Sequence, residues 1–438
     1  MRTLVLFTRD LRLADNPMLD DAYRRSDEVV PLFVLDPTLV ATSPNRARFL
    51  NDGLVDLDRR LRRSGGRLIV RRGDPATAAV EVARDASCDA IGVTIDVTET
   101  AARRKRRLVA AARDAGVEVR WFPGNSVVEP GEIAPAGRPG YRVFTPYHRA
   151  WLDVPKRAVL SEPRRIVVPE GVRSDPIPEP RSVKGDASDL PPGGETSGRR
   201  QLDDFLRSDL EHYGNDRNDL AGDRTSRLSP YLRFGFVSPN ELAHHAGDLP
   251  GGAPFVRQIA WRDFFRQLLA ADPSLTTKDL KPGAPVEPPP LDLDDALERW
   301  QEGQTGLPLV DAGMRQLRRE GWIHNRARLV VASFLTRRIG IAWQDGASHF
   351  MQFLVDGDPA NNAGGWQWVA GTGTDTRPAR AFNPVRQAQR FDPSGDYIRR
   401  YVSELRDVAA PTIFAPWKQE RLLDLTGYPE PLVAVPAG

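Results

Sequence analysis

Cysteine is nearly absent from the 438 residues. Cys88 stands alone, which excludes an intramolecular disulfide and any zinc site built from cysteines. Lysine is almost as scarce: six of the 61 basic residues are lysine, and with 59 acidic residues the formal charge is only +2. A near-neutral total does not exclude nucleic acid, because the distribution of charge decides that. The arginine excess fits a GC-rich coding sequence, although a guanidinium also grips phosphate through two parallel hydrogen bonds. No apolar run approaches the length that spans a bilayer; Leu4–Phe7 and Val29–Leu35 are among the longest. The first residues enter a strand-like run and lack the apolar core and small-residue cleavage site of a secretory signal, so the expected location is the cytoplasm, with no membrane partner. A GxGxxG after the first strand, GxSxG, HExxH and a P-loop are all missing. His244-His245 has no acidic or cysteine partner at metal spacing, and no metal is expected.

What is present is ordinary globular material, 40% hydrophobic and 27% charged, long enough for two or three domains. The first part alternates β-like runs (Thr3–Thr8, Val29–Leu35, Arg67–Arg71, Ala90–Thr94, Glu118–Trp121) with helical stretches such as Ala47–Ser64 and Pro75–Ala86. Strand, helix, strand predicts a parallel sheet covered by helices. Prolines at 155, 163, 169, 176, 178, 180, 191 and 192, followed by Gly193-Gly194, read as an extended connector. Beyond Thr196 the pattern is helical, with Leu202, Phe205, Leu206 and Leu210 on one face behind a cap at Ser197. The fold expected is therefore α/β plus all-α. Residues 1–125 form an N-terminal parallel-sheet domain, 126–195 a long connector, and 196–438 a C-terminal helical domain.

Four segments carry chemistry. Thr225-Ser226-Arg227-Leu228-Ser229-Pro230 clusters hydroxyls where a helix could begin, either as a plain cap or as an anion site. In Gln258–Phe265, Trp261, Phe264 and Phe265 follow helical spacing, which usually means core, with Arg262 beside the rings. Gly321–Arg328 places His324, Asn325, Arg326 and Arg328 within five positions at the start of an apolar helix, either a solvated helix start or one end facing a cavity. Asp356-Gly357-Asp358, Asn361-Asn362 and Trp366-Gln367-Trp368 form the densest run. It lacks the remaining ligands of a calcium loop and suits a planar, hydrogen-bonding ligand better, though buried Trp is more often core. The basic run Arg103–Arg107 reads as a solvated helix face and Cys88 as a small buried residue.

Together these segments resemble the DNA photolyase/cryptochrome family. The matching stretches are Thr8–Pro17, Tyr141–Tyr147, Thr225–Pro230, Trp261–Phe265, Gln304–Ala312, Gly321–Arg326, Val355–Asp375 and Phe382-Asn383-Pro384, which span almost the whole chain. The resemblance, closest to a class I cyclobutane pyrimidine dimer photolyase, implies a helical FAD-binding domain. It implies a light-driven electron transfer from reduced FAD to a pyrimidine dimer flipped out of DNA. A DNA reader that engages one lesion is expected to work as a monomer. It assigns Tyr213, Thr225, Ser226, Arg227, Leu228 and Ser229 to the FAD diphosphate. Phe255, Gln258, Arg262 and Asn325 belong to the flavin side. Arg328 pairs with Asp356, Asp356 and Asp358 bracket flavin and ribose, and Asn362 faces the flavin. Gln258, Asn325, Asn362, Trp343 and Trp366 form the reacting set, the two tryptophans as electron carriers. For DNA it implies Trp261 and Trp368 as aromatic walls of the dimer pocket and Arg217, Arg326 and Arg380 on phosphates.

Four departures qualify that pattern. Gln258 stands where cyclobutane-dimer enzymes usually carry Glu, as in the (6-4) photolyases and animal-type cryptochromes, whereas Asn325 is the cyclobutane-type choice. Leu329 and Phe255 replace a Met and a Trp. No aromatic residue occurs in Pro285–Leu293, where the surface tryptophan of the electron chain would fall. The segment Thr94–Thr100 lacks the patterns of an antenna site, so the antenna chromophore is absent or unassigned. A (6-4) photolyase and a signalling cryptochrome are the alternatives; the chain's end at Gly438, soon after Trp417, is expected of an enzyme.

Overall fold

The computed structural model describes every residue except 39–41, 180–181, 376–380 and 435–438. It divides into two compact units. One comprises Met1–Gly185, Pro191–Glu211 and Ser226–Pro273, the other Asp186–Leu190, His212–Thr225 and Ser274–Gly438.

In the first unit, β1 (Arg2–Phe7), β2 (Glu28–Leu35), β3 (Ile69–Arg72), β4 (Ala90–Thr94) and β5 (Glu118–Phe122) make one sheet, in the order β3-β2-β1-β4-β5. All pairings are parallel. The five strands expected from the sequence are all present, with ends agreeing to within two residues. Alternation sorts their side chains. Leu4, Leu6, Val30, Leu32, Ile91 and Val93 share a core with alanines and valines of the Pro75–Asp85 helix and with Leu108 and Ala112 of the Glu99–Asp114 helix. On the other face Gly92 lets Met18 of the Pro17–Arg25 helix approach the strand, since a Cβ there would lie 3.0 Å from Met18 Cγ. Pro31 is tolerated inside β2 because the ladder with β3 begins one residue later, at Leu32 opposite Ile69. The proline-rich stretch is bonded along this unit: Val29 N–H donates to Val167 O (2.8 Å), Ile166 N–H to Ser64 O (2.7 Å) and Asp175 N–H to Val70 O (2.8 Å).

Two local expectations are corrected. Ser197 does not cap its helix. The helix starts at Glu195 after Gly194, whose φ of 106° suits only glycine, and Asp56 accepts from Thr196 N–H (2.9 Å) and Thr196 Oγ1–H (2.8 Å). A carboxylate from the Pro44–Arg63 helix thus supplies the acceptor. The basic run is not uniformly solvated either. Arg103, Lys105, Arg106 and Arg107 are exposed, but Arg104 turns inward, where burial lowers its pKa while Asp96 and Asp10 favour its charge. Cys88 is buried as expected, and desolvation pushes its thiol up to about 12.

The second unit is helical. Trp300, Met314, Leu317, Val331, Phe334, Phe350 and Trp366 belong to one core shared by the Leu293–Glu302, Pro308–Glu320, Asn325–Phe334, Trp343–Phe353 and Pro359–Ala370 helices. Buried carboxylates order its loops. Asp311 accepts from Thr305 N–H (2.7 Å), Gly306 N–H (3.1 Å) and the Tyr428 hydroxyl, docking the last helical segment. Asp392, with no exposed surface, accepts from Tyr397 N–H (3.0 Å) and Ile398 N–H (3.1 Å).

Burial pushes the Asp392 carboxyl from the ordinary 3.8 to about 6. The folded state therefore keeps this proton to higher pH than the unfolded chain. Its contribution is full below the unfolded pKa and is lost as pH rises through the folded one, by about 3 kcal/mol at most. Urea unfolding between about pH 4 and about pH 7 should show a smaller decline in Asp392→Asn than in wild type; identical slopes would mean that Asp392 titrates normally.

Candidate functional site

In the first unit, the hydroxyl-rich segment enters the short Ser229–Phe234 helix. Leu228 is the N-cap and no side-chain oxygen closes the first turn, so the plain-cap reading fails. Arg227 sits at φ 47°, a left-handed conformation that is uncommon for a residue with a Cβ. Ser226 is engaged twice: its Oγ accepts from Leu228 N–H (3.4 Å) and its carbonyl from Gln201 Nε2 (3.1 Å).

The Gly252–Ala271 helix carries Phe255, Gln258, Trp261 and Arg262. Phe255 is buried against Phe205, with ring centroids 4.9 Å apart. Gln258 is half-buried, its Nε2 reaching the Pro254 carbonyl at 3.5 Å. Trp261 is half-buried and stacks on Phe144, with centroids 3.7 Å apart and planes 7° from parallel. One indole face is thereby covered. Arg262 donates to the Asn125 carbonyl and, at 3.4 Å, to Leu232 O. Sequence reasoning passed over Asp263, which holds this helix in place. It is 1% exposed and accepts from Val127 N–H (2.9 Å), Val128 N–H (3.2 Å) and Trp151 Nε1–H (3.0 Å). A lone carboxylate within an aromatic i, i+3, i+4 stretch was the available signal.

In the second unit, Tyr213 is buried in a short helix, and desolvation pushes its hydroxyl up to about 12. Thr225 Oγ1 donates to Asp223 (3.4 Å). Arg217 is half-buried. His324 caps the Asn325–Phe334 helix by accepting Arg326 N–H at 3.1 Å, and Asn325, the first helical residue, is exposed. Arg326 lies over the Phe391 ring at 4.3 Å and donates to Asn218 Oδ1 at 2.8 Å. Arg328 donates to Ile323 O (2.9 Å) and pairs with Asp356 (2.7 Å), as the resemblance implies. Arg380 lies outside the described residues.

Asp358 caps the Pro359–Ala370 helix, accepting Asn361 N–H at 3.0 Å. Asn362 Nδ2 donates to Ala347 O (3.0 Å). Trp366 is 4% exposed, edge-on to Phe350 (5.0 Å) and Trp300 (6.0 Å). Trp343 is buried and gives its Nε1–H to Asp279 at 2.7 Å, while Trp368 is half-buried. Between the two tryptophans of the Pro359–Ala370 helix, Gln367 was missed. Its amide accepts Leu280 N–H (2.9 Å) and donates to Leu275 O (2.7 Å), fastening that loop to the helix.

The donor set suits a flavin dinucleotide. Asp356 is 8% exposed, yet its Oδ1 is buried with no hydrogen-bond partner, and such an orphaned acceptor calls for a donor from a bound group. An imide N–H or a ribose hydroxyl is of the required kind. Among the described residues no cluster could hold a metal, and no helix is long and apolar enough to cross a membrane.

A parallel α/β sheet, a helical unit and one buried carboxylate oxygen open to a donor fit a two-part flavoprotein. Comparison with known proteins gives its family. A model described as "DNA photolyase" matches residues 3–165 and one described as "FAD binding domain of DNA photolyase" matches 255–437. A deoxyribodipyrimidine photo-lyase of Streptomyces griseus is 47% identical, over 98% of this chain and 96% of that protein. A crystal structure of a bacterial class III photolyase from Agrobacterium tumefaciens superimposes with a TM-score of 0.89 at 32% identity, covering 99% of this chain and 94% of the other. A cryptochrome structure from Synechocystis superimposes with a TM-score of 0.90 at 28% identity, covering 99% and 97%. The chain belongs to the DNA photolyase family: it is an FAD-binding enzyme of DNA repair, and its partner is DNA.

Trp366 rests against a helix that leaves it room. A Cβ at Gly346 would overlap the indole and lie 2.7 Å from Leu335 Cδ2. Gly346→Ala should cost about 1–3 kcal/mol by overpacking, read as a lowered thermal unfolding midpoint. An unchanged midpoint would mean that the two helices are less closely packed than described.

Proposed function

We propose that the chain repairs cyclobutane pyrimidine dimers in DNA under blue light, as a monomer in the cytoplasm, with residues 196–438 as the flavin-binding region and 1–125 as the sheet domain. The observation that carries the proposal is Asn325, an exposed neutral amide at the first position of a helix whose next turn anchors Arg328 to Asp356. An amide both donates and accepts, which matches the carbonyl and N–H edge of a splayed pyrimidine. The identity of 47% to a protein named deoxyribodipyrimidine photo-lyase supports the same reading.

Photoexcited reduced FAD supplies the electron that splits the dimer. This chain's residues bind and orient. Tyr213, Thr225, Ser226, Arg227, Leu228 and Ser229 serve the diphosphate, where backbone amides and hydroxyls are the suitable donors. Arg328 holds one oxygen of Asp356, and Asp356 and Asp358 take the donors of flavin and ribose. Asn362 offers an amide to the ring without adding charge. Phe255, Arg262 and Gln258 line the flavin side. Trp261 and Trp368 wall the dimer, and Arg217, Arg326 and Arg380 meet phosphates, which makes affinity salt-dependent. Trp366 and Trp343 carry electrons when oxidised FAD is reduced by light. The antenna chromophore stays unassigned.

Gln258 favours a second reading, a (6-4) photolyase, the group in which glutamine rather than glutamate is usual at this position; its amide can hydrogen-bond a lesion but cannot transfer a proton. Illuminating the reduced protein with oligonucleotides carrying each lesion separates the two. Repair of the cyclobutane substrate alone is expected; repair of the (6-4) substrate alone supports Gln258, and activity on neither leaves a photoreceptor. Asn325→Ala should weaken binding to the cyclobutane oligonucleotide, and equal affinity would remove Asn325 from the pocket. Asp358→Ala should leave purification with less flavin per chain, and full occupancy would contradict its assigned role.

A further inference from the structure

The turn that presents Asn325 is pinned from behind by a buried amide. Gln316, 1% exposed, lies on the Pro308–Glu320 helix. Its Oε1 accepts His324 N–H at 3.1 Å and the Tyr397 hydroxyl at 2.8 Å. A backbone N–H only donates, so the atom facing His324 is the oxygen, and the orientation of the amide is fixed. Its Nε2 then points at Tyr401 Oη (3.1 Å) and Glu320 Oε2 (3.4 Å). Tyr401 in turn donates to Glu320 Oε1. Gln316 thus uses both acceptor sites and both donors, the most a glutamine can offer. The same turn is held on its other side by Val355 N–H donating to Gly321 O (2.8 Å) and by Arg328 Nε–H donating to Ile323 O (2.9 Å).

A fully satisfied polar network in a core adds rigidity that apolar packing alone does not supply, and it fixes one geometry. Tyr397 and Tyr401 come from the Asp396–Tyr401 helix, whose first amides Asp392 receives. None of these groups is exposed, so they act on a ligand only through the turn.

We propose that Gln316 is a positioning residue for lesion recognition: through the His324 amide it sets where Asn325 stands. The inference rests on the reading of Asn325 as a lesion contact. Gln316→Met keeps the length of the side chain and removes all four hydrogen bonds. Tyr397→Phe removes one donor to the same oxygen and keeps the ring in place, and it carries the test if the first variant does not fold. Each full-length protein, loaded with FAD, is compared with wild type in three measurements: flavin absorbance per chain, amide hydrogen exchange of the peptide spanning residues 321–328, and affinity for an oligonucleotide with one cyclobutane dimer against its undamaged twin. The expected result is faster exchange in that peptide and a lesion preference reduced by about tenfold, the order of one net hydrogen bond. Flavin content and affinity for undamaged DNA should hold. Unchanged exchange overturns the inference outright, and faster exchange with an intact preference reduces Gln316 to a structural residue. A wild-type protein without lesion preference sinks the functional reading instead, whatever the exchange shows.

Discussion

Arg328 ties together two loops that also share the Val355 N–H to Gly321 O hydrogen bond. Its guanidinium binds the Ile323 carbonyl at 2.9 Å and the Asp356 carboxylate at 2.7 Å. A buried carboxylate is costly unless paired, and here one oxygen is paired while the other stays available. That arrangement links the turn carrying Asn325 with the loop carrying Asp358. It makes the position of each depend on the other, so the two roles proposed for Asn325 and Asp358 would draw on one scaffold.

A second constraint acts in the sheet-bearing unit. Asp263 gathers two backbone amides and an indole N–H around a single carboxylate, and burial pushes its pKa up while those donors and Arg262 pull it down. The helix that carries Gln258, Trp261 and Arg262 is therefore fixed by a polar tie. Its aromatic residues then stack beyond that tie, Trp261 on Phe144.

Much of this was legible in the sequence. Short β-like runs located all five strands, because a strand of a parallel sheet buried on both faces is a near-continuous apolar stretch, as in Val29-Val30 and Leu32–Leu35. The pairing of Arg328 with Asp356 followed from family resemblance. What escaped notice depended on distant contacts. Gly194 and Asp56 replace Ser197 as the start of a helix, and Asp56 lies 140 residues from Thr196. Gln316, Gln367 and Asp263 are single polar residues in apolar surroundings, and nothing local separates a satisfied core amide from a solvated one. Arg104 turns inward because Asp10 and Asp96 await it, which a basic run cannot disclose.

The proline-rich stretch has a further effect on how the molecule behaves in a crowded solution. β3 is the last strand on its side of the sheet, and its Val70 N–H and carbonyl are taken by Ser174 Oγ (2.9 Å) and Asp175 N–H (2.8 Å). An open strand edge is a template onto which another polypeptide can add itself. Here Ser174 and Asp175 of the proline-rich stretch occupy that template at Val70, so what resembles a loose tether in composition covers a strand edge.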